Sequence, residues 1–103
     1  MVDLHLDKLP EHMRGGVERY IIHGLPPGDF LRAVLQNDFI GAFAQADDIN
    51  IGNMRLWAMW LWNYAPRGSY GSPERYNEWV RMKGLNGIEM RNITKEAKEY
   101  DNG

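Results

Sequence analysis

The chain has no cysteine, which excludes disulfides, thiolate metal sites and cysteine nucleophiles together. It also lacks charge of one sign. Twelve Lys and Arg stand against fourteen Asp and Glu, a formal net charge of -2. That balance argues against a basic duplex-DNA binder and against a strongly acidic DNA mimic. No apolar run approaches the roughly 20 residues of a membrane span, and Asp3, Asp7, Glu11 and Arg14 interrupt any signal-peptide core. Period-two alternation is missing, so no strand is expected. His5, His12 and His23 are never three or four residues apart, so no helix face presents a zinc-binding pair. What the chain has in excess is aromatic residues: four Trp, five Tyr and three Phe in 103 residues. That length suits one small domain with a single core.

Glycine and proline punctuate the rest, at Gly15-Gly16, Gly24 to Gly28, Pro66 to Gly68, Gly71 to Pro73 and Gly84. Between these marks apolar residues recur at helical spacing, which predicts an all-α domain of about five short helices. The first helix is expected from about Pro10 to His23, with Leu9, Met13, Val17 and Ile21 in an i, i+4 row beside Tyr20. Gly15 and Gly16 weaken it, which implies a close neighbour or a loose first turn. Gly24 suits the position after its end. The second helix starts at Pro27 or Gly28 and carries Phe30, Leu31, Val34 and Leu35. Asn37-Asp38 caps a third, Phe39 to Ala46, unless the two form one kinked helix.

The fourth helix, about Asp48 to Tyr64, is the longest and most apolar. Met54, Trp57, Ala58, Leu61 and Tyr64 form its stripe, but Leu56, Met59, Trp60 and Trp62 continue around the circumference. A helix apolar all round is either central or shared with a partner. The short helices around it are too few to enclose it, so a homo-oligomer is expected with Leu56, Met59, Trp60 and Trp62 in the interface. Ser72-Pro73-Glu74 is a strong start signal for a fifth helix, with Tyr76, Trp79, Val80 and Lys83 on one face and Gly84 at its end. The helical domain is therefore expected over residues 1–84. Residues 85–103 read as a mobile or partner-dependent tail, with at most a marginal helix from Thr94 to Tyr100.

The best ligand candidate is the loop before the fifth helix. Backbone N–H groups at a glycine-rich turn, the forked donors of Arg67 and Arg75, the hydroxyls of Ser69 and Ser72 and the ring of Tyr70 suit a nucleotide-like phosphate ligand. It is not a Walker motif, which needs a Gly-Lys-Ser/Thr ending after a strand. An ordinary helix–helix connection capped by Ser72 is the simpler reading. Asp38, Asp47 and Asp48, with Asn37 and Asn50, lack EF-hand spacing and sit where helix caps are expected, so no metal site is assigned. No cofactor and no catalytic set is assigned. Ser, His and Asp show no triad spacing, and Gly71-Ser72-Pro73 lacks the form of a nucleophile elbow.

The stretches Arg19 to Leu31, Ala33 to Asp38, Ala46 to Asn50, Trp60 to Pro66 and Gly71 to Glu74 form a pattern over roughly residues 13–83. This pattern resembles a family of short proteins encoded by tailed bacteriophages and prophages. The resemblance implies a viral accessory protein acting in the cytoplasm of an infected bacterium, and it supplies no catalytic residues. The first functional expectation is therefore a non-enzymatic interaction protein that binds a bacterial host or defence protein and alters its activity. Trp, Tyr, Arg and Met are the residue types that concentrate at interface centres. The alternative is a sequestering binder of a nucleotide-like small molecule in pockets between subunits. Neither a duplex nucleic acid nor a membrane is expected as partner.

Overall fold

Glycine or asparagine stands at breaks between the helices of this chain, at Gly24, Asn37 and Gly52-Asn53. A computed structural model describes residues 3–91. These residues are helical with no strand among them, and no helix is long and apolar enough to cross a membrane. After a 3₁₀ turn, Leu6–Lys8, come α1 (Glu11–His23), α2 (Asp29–Leu35), α3 (Phe39–Gln45), α4 (Asp48–Ile51), α5 (Met54–Tyr64), a second 3₁₀ turn (Arg67–Ser69) and α6 (Pro73–Arg81). Residues 84–91 are again helical.

Pro10 precedes α1, and Gly24 closes it with a left-handed backbone, φ 66°. There the N–H groups of Gly24 and Leu25 reach back to the carbonyls of Tyr20 and Arg19. No second backbone covers Gly15 and Gly16. The guanidinium of Arg19 lies over them instead, with one nitrogen 3.1 Å from where a Gly15 Cβ would sit. α2 and α3 are separate helices because Asn37 between them takes φ 60°, a conformation that Asn tolerates better than most residues. Asp38 then caps α3 by accepting the Gly41 N–H at 2.9 Å.

The expected continuous helix Asp48–Tyr64 is corrected to two, α4 and α5. Asn53 causes the break. Its side-chain amide donates to the Ile49 carbonyl at 2.7 Å, the acceptor that its own backbone N–H would use in a helix. That N–H turns to Asn50 at 3.0 Å, and α5 restarts with Trp57 N–H on the Asn53 carbonyl.

The core is built from Trp57, Trp60 and Leu61 of α5, Val17, Tyr20 and Ile21 of α1, Phe30, Leu31 and Leu35 of α2, and Tyr76 and Trp79 of α6. Each buried indole finds an acceptor on a different segment. Trp57 donates to Asn50 Oδ1, Trp60 to the Leu4 carbonyl and Trp79 to the Tyr20 carbonyl, at 3.2, 2.8 and 3.1 Å. These bonds remove the cost of burying an unpaired N–H and tie α5 and α6 to distant parts of the chain. Tyr20 and Tyr76 stack with ring centres 5.5 Å apart.

α5 is not enclosed. Met59 and Trp62 face outward, Trp62 with 79% of its surface exposed. Packing also continues past residue 84, because Leu85 and Ile88 rest against the core. The start of the expected tail is thus helical and packed. The remainder, including the proposed turn at Thr94 to Tyr100, lies outside the described residues.

Candidate functional site

Two arrangements were anticipated, the loop at residues 67–75 and the outer surface of α5. In the loop, the sequence-predicted donors are spent internally. Ser69 is fully buried. Its hydroxyl donates to the Pro66 carbonyl at 2.6 Å, and its carbonyl accepts the Tyr20 hydroxyl at 2.7 Å. The Ser72 hydroxyl accepts the Arg75 N–H at 3.1 Å, the cap that its sequence context predicts. The Gly71 N–H donates to the Leu35 carbonyl at 2.9 Å, and Tyr70 packs against the core. Arg67 and Arg75 remain exposed. Arg67 and Arg75 make no ion pair among the described residues, and the buried Ser69 has no surface left for a ligand.

The four residues expected at the α5 interface do not share one surface. Trp60 is corrected: it is 2% exposed and held in the core by its bond to Leu4, so it faces no partner. Leu56 is half-buried and borders a groove with Leu9, Glu11 and Ile49. Met59 and Trp62 are open to solvent.

Sequence reasoning missed what lies beside them. On α3, Phe39 and Ile40 are 69% and 74% exposed, and Phe43 is also open. The Phe39 and Phe43 rings tilt against each other at 4.8 Å. An apolar groove of about 300 Å³ runs from these rings past Val34 and Met54 to Ala58 of α5. Trp62 lies one turn beyond Ala58 on the same side of α5, with Met59 next to it. The signal was in the sequence, since Phe39, Phe43 and Ala46 fall on one face. Periodicity does not say which way that face turns: α3 buries Ala42 and leaves the phenylalanines outward.

A second feature also joins residues far apart in sequence. His12 Nε2 meets Asp47 Oδ2 at 2.9 Å, across 35 residues. Asp47 caps α4 through its other oxygen, which accepts the Asn50 N–H at 2.7 Å. That N–H, and after it the His12 imidazole, hold the Asp47 carboxyl below its ordinary pKa. Asp38 and Asp47 thus serve as caps, and no group of three or more possible metal ligands occurs among the described residues. No family model, curated protein or solved structure matches this chain.

Proposed function

We propose that this chain is a non-enzymatic interaction protein whose α3–α5 face docks a bacterial protein in the cytoplasm of a phage-infected cell and alters that protein's activity. The apolar face itself carries the reading. Phe39, Ile40, Phe43, Met59 and Trp62 are large apolar side chains left in solvent on two neighbouring helices. At on the order of 150–250 Å² for a fully exposed aromatic side chain, they present about 700 Å², close to the ~800 Å² per partner of a standard interface. Exposed apolar area of that size on a small domain, bordering the groove between α3 and α5, marks an interaction surface. The infected-cell setting rests on the resemblance over residues 13–83. While the target is absent, a second copy covers the same face in an isologous pair, each copy offering the same aromatic cluster to the other.

The test compares the unmodified protein with Trp62→Glu and Phe39→Glu. Both positions are exposed, so the melting temperature should stay within about 2 °C of the parent. Light scattering should show a dimer for the parent at tens of micromolar, on the order of where a modest interface holds, and a monomer for both variants. A bacterial protein captured by the parent from infected-cell lysate should be lost with both variants. Capture that survives both substitutions refutes the face as the docking site. A large thermal shift with nucleotides and no protein partner would favour the sequestering alternative.

A further inference from the structure

A separate cleft of about 380 Å³ is lined by α1, by residues 25–31, and by Gln45, Asp47 and Asn50 at the junction of α3 and α4. At its edge sits Asn50, a polar side chain that is only 2% exposed. Its orientation is fixed. The Trp57 indole can only donate, so the Asn50 atom it meets at 3.2 Å is the amide oxygen. The amide nitrogen therefore points away from Trp57. It has no hydrogen-bond partner among the described residues, and it is not sealed off from solvent. Asn50 lines the cleft, and its two amide N–H donors are left without a protein acceptor among the described residues.

Asp29 and Asp47 also line the cleft, and each carboxylate is engaged by protein groups. Both Asp47 oxygens are taken, one by the Asn50 N–H and one by His12. Asp29, also at the cleft, pairs with Arg32 at 3.3 Å. Arg19 makes no ion pair among the described residues. Gly15 and Gly16 give its guanidinium the space to lie along α1 at the cleft's rim. Met13 of α1 and Pro27 and Phe30 of the following segment add apolar surface to the lining. A volume of this size suits a small molecule.

We infer that this cleft binds a small organic carboxylate with an apolar body. Its carboxylate is held by the Arg19 fork and the Asn50 amide, and its body rests on Phe30, Pro27 and Met13. A planar guanidinium with free donors matches a carboxylate in two-point geometry, and the apolar surface selects against acetate-sized ions.

The experiment is an NMR titration of the full chain labelled with ¹⁵N, using phenylacetate as probe and acetate, inorganic phosphate and phenethylammonium as comparators. Phenylacetate should give saturable shifts in the Asn50 side-chain amide and in the backbone amides of Gly16 and Gly28. Its affinity should be on the order of millimolar. The three comparators should not saturate in that range. Arg19→Gln, an exposed position, should fold normally and weaken phenylacetate about tenfold or more. Asn50→Asp keeps an acceptor for Trp57 but turns a carboxylate oxygen into the cleft, and should abolish binding. Four results would overturn the inference: no saturable shift at Asn50, undiminished binding in Arg19→Gln, equal binding of phenethylammonium, or phosphate binding as well as phenylacetate. Because Arg19→Gln leaves the core untouched, a failure of Asn50→Asp to fold does not remove the test.

Discussion

Tyr20 shows how much a single side chain carries in so small a core. It is fully buried, stacks on Tyr76, and donates its hydroxyl to the Ser69 carbonyl at 2.7 Å. Burial, and after it the neighbouring Tyr76, push its phenol well above its ordinary pKa. Tyr76 is raised as well, chiefly by burial. A group whose folded pKa is raised contributes its full stability below the unfolded value, about 10 for tyrosine, and loses it as pH climbs beyond. The protein should therefore weaken steeply above about pH 10. Tyr20→Phe should cost about 1 kcal/mol at neutral pH, because the Ser69 carbonyl loses its partner. The same variant should show a shallower alkaline decline, with Tyr76 keeping its own share. Urea unfolding at neutral pH and near pH 11 measures both effects. An alkaline loss as steep as the parent's would mean that Tyr20 does not control this limb.

At the scale of elements, α1 meets the turn after α6 in a joint where backbone lies on backbone. Gly24 and Gly84 both have φ 66°, and a Cβ on Gly84 would lie 2.6 Å from the Ile21 carbonyl oxygen and 2.7 Å from the Gly24 nitrogen. Backbone lies directly on backbone there, so no side-chain rotation can relieve the clash. Gly84→Ala should cost more than about 2 kcal/mol, combining left-handed strain with the collision. Lys83, next in the same turn, also takes a left-handed conformation, φ 63°. Lys83→Gly should leave stability unchanged or raise it by up to about 1 kcal/mol. Thermal melts should show a clear drop for Gly84→Ala and none for Lys83→Gly. A tolerated Gly84→Ala would show that the two segments do not meet this closely. The cap of α6 is a gentler feature, and Ser72→Ala should cost about 1 kcal/mol whatever the loop's role.

Across the whole molecule, α5 divides the chain's apolar residues between a core and a surface. Trp57, Trp60 and Leu61 point inward, whereas Ala58, Met59 and Trp62 point outward. Trp57→Ala and Leu61→Ala should each cost about 2–5 kcal/mol, enough to unfold most of a population whose total stability is only about 5–15 kcal/mol. Trp57→Ala should be the more damaging of the two, because the buried Asn50 oxygen also loses its donor. Circular dichroism melts would decide this. Near-normal stability in both variants would mean that the inner face of α5 is assigned wrongly. The contrast with Trp62→Glu separates the two faces of one helix by their opposite demands on stability and association.

Much of the helical architecture was legible because its causes are local. Proline has no N–H to donate, Gly24 accepts a left-handed backbone, and Asp38, Asp47 and Ser72 cap the residues that follow them. Each of these acts within about one turn of helix. The break at Asn53 was equally local, but Asn is common inside helices, and only the captured Ile49 carbonyl distinguishes this one. Which face of each helix is buried was less legible. Periodicity groups residues onto a face without saying what the face meets, so Trp60 was placed at an interface rather than in the core, and the outward turn of Phe39 and Phe43 was not foreseen. Burial is settled by neighbours that come from elsewhere in the chain: Leu4 receives the Trp60 indole, and Ala42 rather than the phenylalanines meets α3's partners. The cleft was hidden altogether, since His12 and Asp47 are 35 residues apart. Sequence spacing records contacts within a few turns, whereas the packing of α1 against the start of α4 brought these groups together.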